Sequence, residues 1–188
     1  MRHCGRLPRR NGIRSPQVGH GACPCVPHPR VEVHPSRGPH NALQYGFRDT
    51  SRCRVAWNIL WLRGADWAPW FAMKNWMVRR SGAQVGKHVS LGYRAQVDIL
   101  FPQRITIGDD AIIGYNTTLL AHGYTHDAYQ LGDVTIGNRA SIGANCTILA
   151  GVTVGEGAVI GAMSLVNRDV PAGEFWAGVP AKKIRDHY

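Results

Sequence analysis

Two histidines four residues apart, His122 and His126, stand in the run Leu120-Ala121-His122-Gly123-Tyr124-Thr125-His126-Asp127. An imidazole titrates near neutrality, so either ring could take a proton from a hydroxyl as a general base. Neutral rings are also metal ligands, and His88 with this pair would supply three nitrogen donors for a zinc ion. A second set lies near the start: His20, Cys23, Cys25, His28 and His34. Its C-x-C spacing departs from the C-x₂₋₄-C of structural zinc sites. No metal is expected to be required.

The elements that must position these residues begin with an uneven chain. It has 188 residues and a formal net charge of +10. Residues 1–54 hold ten Arg against Glu32 and Asp49, whereas residues 55–188 are close to neutral. The head is also rich in Pro, His and Cys and shows no sustained apolar period. Residues 1–54 are expected to be a disordered basic extension, of the kind an early-assigned start codon would create. No apolar core of a signal peptide follows its basic start. Nucleic acid is not an expected partner, because no aromatics interleave its arginines. No run of about 18 apolar residues is present to span a membrane, and the glycines lack the three-residue period of collagen.

Residues 55–80 hold five of the six tryptophans. One short helix is expected from Val55, broken by Gly64 and Pro69, and a second from Trp70 to Arg79. Membrane contact is not expected: Asp66 and the breaks interrupt a continuous amphipathic face, and the Trp face is expected to pack on the domain that follows.

The strongest signal is a six-residue period. Ile136, Ile142, Ile148, Val154, Ile160 and Val166 are in phase, as are Ile107, Ile113, Leu119 and Val85, Leu91, Val97. Four positions after each member of the first run come Ala140, Cys146, Val152, Ala158, Ser164 and Val170. Breaks in phase fall near 101–106 and 121–135. One aliphatic knob every six residues fits neither a helix nor an open strand; it fits short strands and tight turns wound into a hexapeptide parallel β-helix. Cys146, at an inward small position, reads as a buried inert thiol. The second break is where chemistry is expected, since loops on rigid scaffolds carry function.

The end of the chain sharpens this reading. Ser164-Leu165-Val166-Asn167-Arg168-Asp169-Val170-Pro171, then Gly178-Val179-Pro180-Ala181-Lys182-Lys183-Ile184-Arg185, resembles the last coil and the G-N-P-A-K-x-I-R close of the left-handed β-helix hexapeptide acyltransferases, with Val179 in place of Asn. The branch it is most similar to is that of the maltose, galactoside and capsular-polysaccharide O-acetyltransferases. The resemblance covers about residues 80–186. It implies an all-β fold, a left-handed parallel β-helix over 81–188, with a helical segment over 55–80 and a C-terminal tail. It implies a homotrimer with active sites between subunits, acetyl-coenzyme A as co-substrate and a small acceptor such as a sugar.

The resemblance also assigns residues. His122 matches the catalytic base at the entry to the loop, with His126 as the alternative. Ala144 and Ala162, 18 residues apart, match positions beside the pantetheine arm. Asn167, Arg168 and Arg185 match positions near the nucleotide, where Arg168 keeps a positive charge in place of Lys. Asp98 matches an acceptor-holding carboxylate. Two rival functions share the fold: a zinc hydratase like the γ-class carbonic anhydrases, and a non-catalytic scaffold. A donor found in the cytosol, with no export signal legible, leads to an expected cytoplasmic location.

Overall fold

Each six-residue period becomes one edge of a three-sided coil. The computed structural model describes residues 28–36, 38, 40–45 and 50–186. After strand β1 (Glu32–Pro35) come two helices, α1 (Arg52–Ala65) and α2 (Phe71–Ser81). The first coil holds β2 (Gln84–Val85), β3 (Ser90–Leu91) and β4 (Gln96–Val97), and the second β5 (Ile105–Ile107), β6 (Ile112–Ile113) and β7 (Thr118–Leu119). A hairpin, β8 (His122–Tyr124) and β9 (Ala128–Leu131), projects before the third coil, β10 (Val134–Ile136), β11 (Ser141–Ile142) and β12 (Thr147–Ile148). The fourth coil is β13 (Thr153–Val154), β14 (Val159–Ile160) and β15 (Leu165–Val166). An antiparallel pair, β16 (Glu174–Gly178) and β17 (Ala181–Asp186), closes the far end.

The coils stack in parallel register into three sheets, ordered β13-β10-β5-β2, β16-β14-β11-β6-β3 and β15-β12-β7-β4, with β17 on the outer edge of β16. The architecture is a left-handed parallel β-helix. All twelve in-phase aliphatics point inward and are buried, and so are the small residues that follow them. Ile107 stacks on Ile136 and Ile136 on Val154, a column repeated on each face. Each such side chain contributes roughly 1.5–3 kcal/mol by leaving water, so a core one residue wide suffices. Cys146 lies in it, and burial pushes its thiol up from the ordinary value.

The corners are built from left-handed backbone. His88, Arg94, Asp110, Asn116, Arg139, Asn145 and Met163 all have φ between 54° and 61°, and most recur at six-residue steps. Stacked corners also come very close: a Cβ on Gly114 would lie 2.5 Å from the carbonyl carbon of Gly143 and 2.6 Å from the nitrogen of Ala144. Backbone cannot yield there as a flexible side chain would. Gly114→Ala is therefore expected to cost about 1–3 kcal/mol, read as a lower urea midpoint at unchanged slope.

The helical pair differs from expectation in one informative way. α1 runs through Gly64 to Ala65, and the buried residues of the two helices include Asn58, Lys74, Asn75 and Ser81. The tryptophans do not pack on the body: Trp67 and Trp70 are 84% and 70% exposed, and Trp57 and Trp76 also face outward. The first coil presents an edge of backbone carbonyls beside the apolar side chains on which Ala65 and Val78 pack. Asn58 Nδ2 donates to the Ile99 carbonyl (2.8 Å), Asn75 Nδ2 to that of Val89 (2.7 Å), Arg79 Nε to that of Val85 (2.7 Å) and Lys74 to that of Gly92. An edge of this kind needs donors, so the polar faces turn inward.

The expected boundary at residue 54 also shifts. α1 starts at Arg52, and β1 pairs antiparallel with β9, Glu32 opposite Leu131 and His34 opposite Tyr129. This part of the head is thus ordered on the body, because the hairpin offers a free strand edge that a short extended segment can fill. His20, Cys23 and Cys25, and with them the metal reading of the head, lie outside the described residues.

Candidate active site

Asp98 and His122 leave the same corner of the solenoid in consecutive coils. Val97 and Leu119 are register partners; Asp98 follows the first directly and His122 comes three residues after the second. His122 Nδ1 is hydrogen-bonded to Asp98 Oδ2. The Asp98 side chain is 0% exposed. Its Oδ1 accepts from the N–H groups of Leu100 (2.9 Å) and Phe101 (3.0 Å), and its Oδ2 also accepts from that of Ala121 (2.8 Å). Burial alone would raise this carboxyl; the hydrogen bond and charge of His122, with the N–H groups of Phe101 and Ala121, more than offset it and hold the group below its ordinary value.

This geometry dictates the tautomer. A carboxylate accepting from Nδ1–H leaves Nε2 as the basic nitrogen of the neutral ring. Nε2 makes no hydrogen bond among the described residues, and the ring keeps a 20% exposed side chain between Phe101 and Tyr124, whose centroids are 5.8 and 5.2 Å away. An oriented imidazole with one free nitrogen can take a proton from a ligand and give it up again. The expected acceptor-holding role of Asp98 is corrected: its oxygens are enclosed and already occupied, so no face is left for a substrate hydroxyl.

The other expected residues fall into separate groups. His126 is exposed at the tip of the β8–β9 hairpin. His88 is exposed on a turn of the first coil, and among the described residues no three His, Cys, Asp or Glu side chains converge as a metal site would need. Ala144 and Ala162 occupy one corner, one coil apart: Ile142 pairs with Ile160, and the Met163 N–H donates to the Ala144 carbonyl (2.9 Å). Tyr115 and Tyr93 continue that column, with rings stacked at 5.8 Å. Asn167 and exposed Arg168 stand on the neighbouring corner, the one that carries His122 in an earlier coil. Arg185 lies on β17, its guanidinium 5.4 Å from the Phe175 ring centre.

Residues 133–168 match the family described as bacterial transferase hexapeptide (six repeats). The Bacillus subtilis (strain 168) protein named "Putative acetyltransferase YvoF" is 41% identical over 156 residues, which cover 82% of this chain and 90% of that protein. The chain belongs to the hexapeptide-repeat acetyltransferases. The galactoside O-acetyltransferase of Escherichia coli (strain K12) is 40% identical over 89 residues, 44% of each chain. In fold, a hexapeptide-repeat acetyltransferase of Vibrio cholerae, solved with acetyl coenzyme A, superposes with a TM-score of 0.60 at 20% identity, covering 72% of this chain and 88% of that one.

As a member of this acetyltransferase family the chain is an enzyme, and several residues around His122 were not legible in its sequence. Phe101 comes from the insertion between the first two coils, and Tyr124 and Tyr129 from the hairpin. His34 reaches the same cluster from the head, stacked on Tyr129 at 4.7 Å. Arg104 fixes β1 from the other side, contacting Glu32 at 3.5 Å and Asp133 at 3.0 Å. The only trace of this in the sequence is the alternation Val31-Glu32-Val33-His34, too short to stand out.

Proposed function

We propose that this enzyme transfers an acetyl group from acetyl-coenzyme A to a hydroxyl of a sugar, with His122 as general base and Asp98 as its positioning residue. The observation that carries this reading is the enclosed carboxylate holding Nδ1 of a partly exposed histidine. As the acceptor oxygen attacks the thioester carbonyl, His122 Nε2 takes the hydroxyl proton. The imidazolium formed is stabilised by Asp98, which stays ionised. When the C–S bond breaks, Nε2–H returns the proton to the sulfur, so an acetyl ester and a free thiol leave together.

The donor is proposed to lie along the column of Ala144 and Ala162. Two methyl side chains one rung apart would leave room along the axis for a thin pantetheine arm. Arg168, Arg185 and Asn167 are the proposed partners of the nucleotide and its phosphates. In one chain, however, the alanine column and His122 occupy different corners. A second copy whose His122 faces this alanine corner would complete the site, which favours a homotrimer with active sites between subunits. Within each copy residues 81–188 would be the catalytic unit and 55–80 its end cap, in a cytoplasmic protein. The galactoside relative supports a sugar as acceptor.

Incubating the purified protein with acetyl-coenzyme A and a panel of sugars tests this. Acceptor-dependent thiol release and an acetyl ester on one sugar are expected. An N-acetylated amino sugar would move the acceptor to an amine, and release with none of the panel would remove sugars as substrates.

A further inference from the structure

The helical cap is amphipathic in the opposite sense to an ordinary packed helix pair. Asn58, Lys74 and Asn75 face the solenoid together with Ala65 and Val78, while most of the aromatic side chains face out. Trp57, Leu60, Trp67, Trp70, Phe71 and Trp76 are between 40% and 84% exposed. They do not stand singly. The Trp57 and Trp61 rings meet edge to face at 5.5 Å, Trp61 and Trp76 at 5.1 Å, and the turn between the helices carries Trp67 and Trp70 beyond them. A clustered apolar surface of this kind marks an interaction site.

Its charge selects the partner. Of the six basic residues in 52–81, Lys74 and Arg79 are spent on carbonyls of the first coil and Arg54 on that of Ser81, which leaves Arg52, Arg63 and Arg80 exposed against a single acid, Asp66, 3.8 Å from Arg63. The Arg80 guanidinium sits over both Trp61 and Trp76, at 5.7 and 6.0 Å. A face-to-face contact between the caps of two copies would set these like charges against each other. An anionic lipid surface would instead pair the arginines with headgroup phosphates and receive the indole rings at interfacial depth. No helix among the described residues is long and apolar enough to cross a membrane, so the contact would be peripheral.

We infer that the outer face of the helical cap docks the enzyme on an anionic lipid surface, through Trp67, Trp70 and the neighbouring tryptophans with the flanking arginines. This position covers the end of the solenoid and leaves the His122 corner open at the side. It would hold the enzyme where acceptors at a membrane are presented.

Co-sedimentation of the full chain with vesicles provides the test. Binding to phosphatidylcholine mixed with phosphatidylglycerol is expected to exceed binding to phosphatidylcholine alone by about tenfold or more at low salt, and to weaken as salt is added. A Trp67→Ser/Trp70→Ser variant of unchanged circular dichroism is expected to lose most of that binding. Failure of the wild-type chain to bind anionic vesicles overturns the inference. So does equal binding to both lipids, undiminished binding by the variant, or a smaller assembly of the variant in solution, which would assign the face to a second copy.

Discussion

Replacing His122 by alanine is expected to lower acetyl transfer by about 10²–10⁴-fold, the span usual for losing a positioned general base. The loss should fall on kcat, because the ring is not placed to bind the donor. His126→Ala should stay close to wild type: that side chain is exposed at the hairpin tip, whereas His122 is held by a buried carboxylate. Initial rates of thiol release, with acetyl-coenzyme A saturating, separate the two. Full activity in His122→Ala, or a loss confined to His126→Ala, would transfer the base to the hairpin tip and leave Asp98 without a catalytic part.

Asp98→Asn is expected to have the next largest effect, and on two observables. An amide presents N–H₂ where the carboxylate now accepts, so one pair of donors, either Leu100 and Phe101 or Ala121 and His122, loses its acceptor. With buried donors left unsatisfied, stability should fall by about 2–4 kcal/mol. The Nδ1–H tautomer also loses its support, so kcat should fall by about a hundredfold or more while KM for the donor changes little. The pH dependence carries a definite sign. Because the folded carboxyl lies below its ordinary value, its contribution is fully present above about pH 4, the range of an unperturbed Asp, and is lost as pH falls through the folded value. The stability gap between wild type and variant should therefore be flat near neutrality and narrow in acid. A gap of the same size at low pH, or an unchanged kcat, would count against the positioning role.

The parts of this molecule that sequence reveals are those that repeat. Ile107, Ile136 and Val154 announce a column because each coil poses the same packing problem and the chain solves it in the same way, eighteen residues on from Ile136 to Val154 and twenty-nine from Ile107 to Ile136, where the hairpin intervenes. Parts that occur once are harder. The inward turn of Asn58 and Asn75 depends on an edge of carbonyls that exists only after the coils have formed. Pairing of Glu32–Pro35 with β9 joins segments almost a hundred residues apart, with no periodic signal to link them. At the site, Asp98 and His122 are both legible as residue types. That they touch, and that Asp98 is closed off by the N–H groups of Leu100, Phe101 and Ala121, follows from the two insertions leaving one corner in consecutive coils. The Asp98 carboxylate is spent on an imidazole rather than on a sugar hydroxyl.

The stacked corners have a consequence for how such a molecule can change. Ala162, Ala144 and Tyr115 follow one another along a single edge, and His122 belongs to the coil of Tyr115. Neighbouring strands lie about 4.8 Å apart, so these residues form the graduations of a ruler laid along the axis. The two ends are finished by unrelated means, side-chain donors from helices at one and an antiparallel strand pair at the other. Coils between them could be added or removed in units of eighteen residues without disturbing either finish. With the donor on the proposed alanine edge, the reach from there to the delivered acyl group would be counted in whole turns of the chain, a length that drift in individual side chains leaves unaltered.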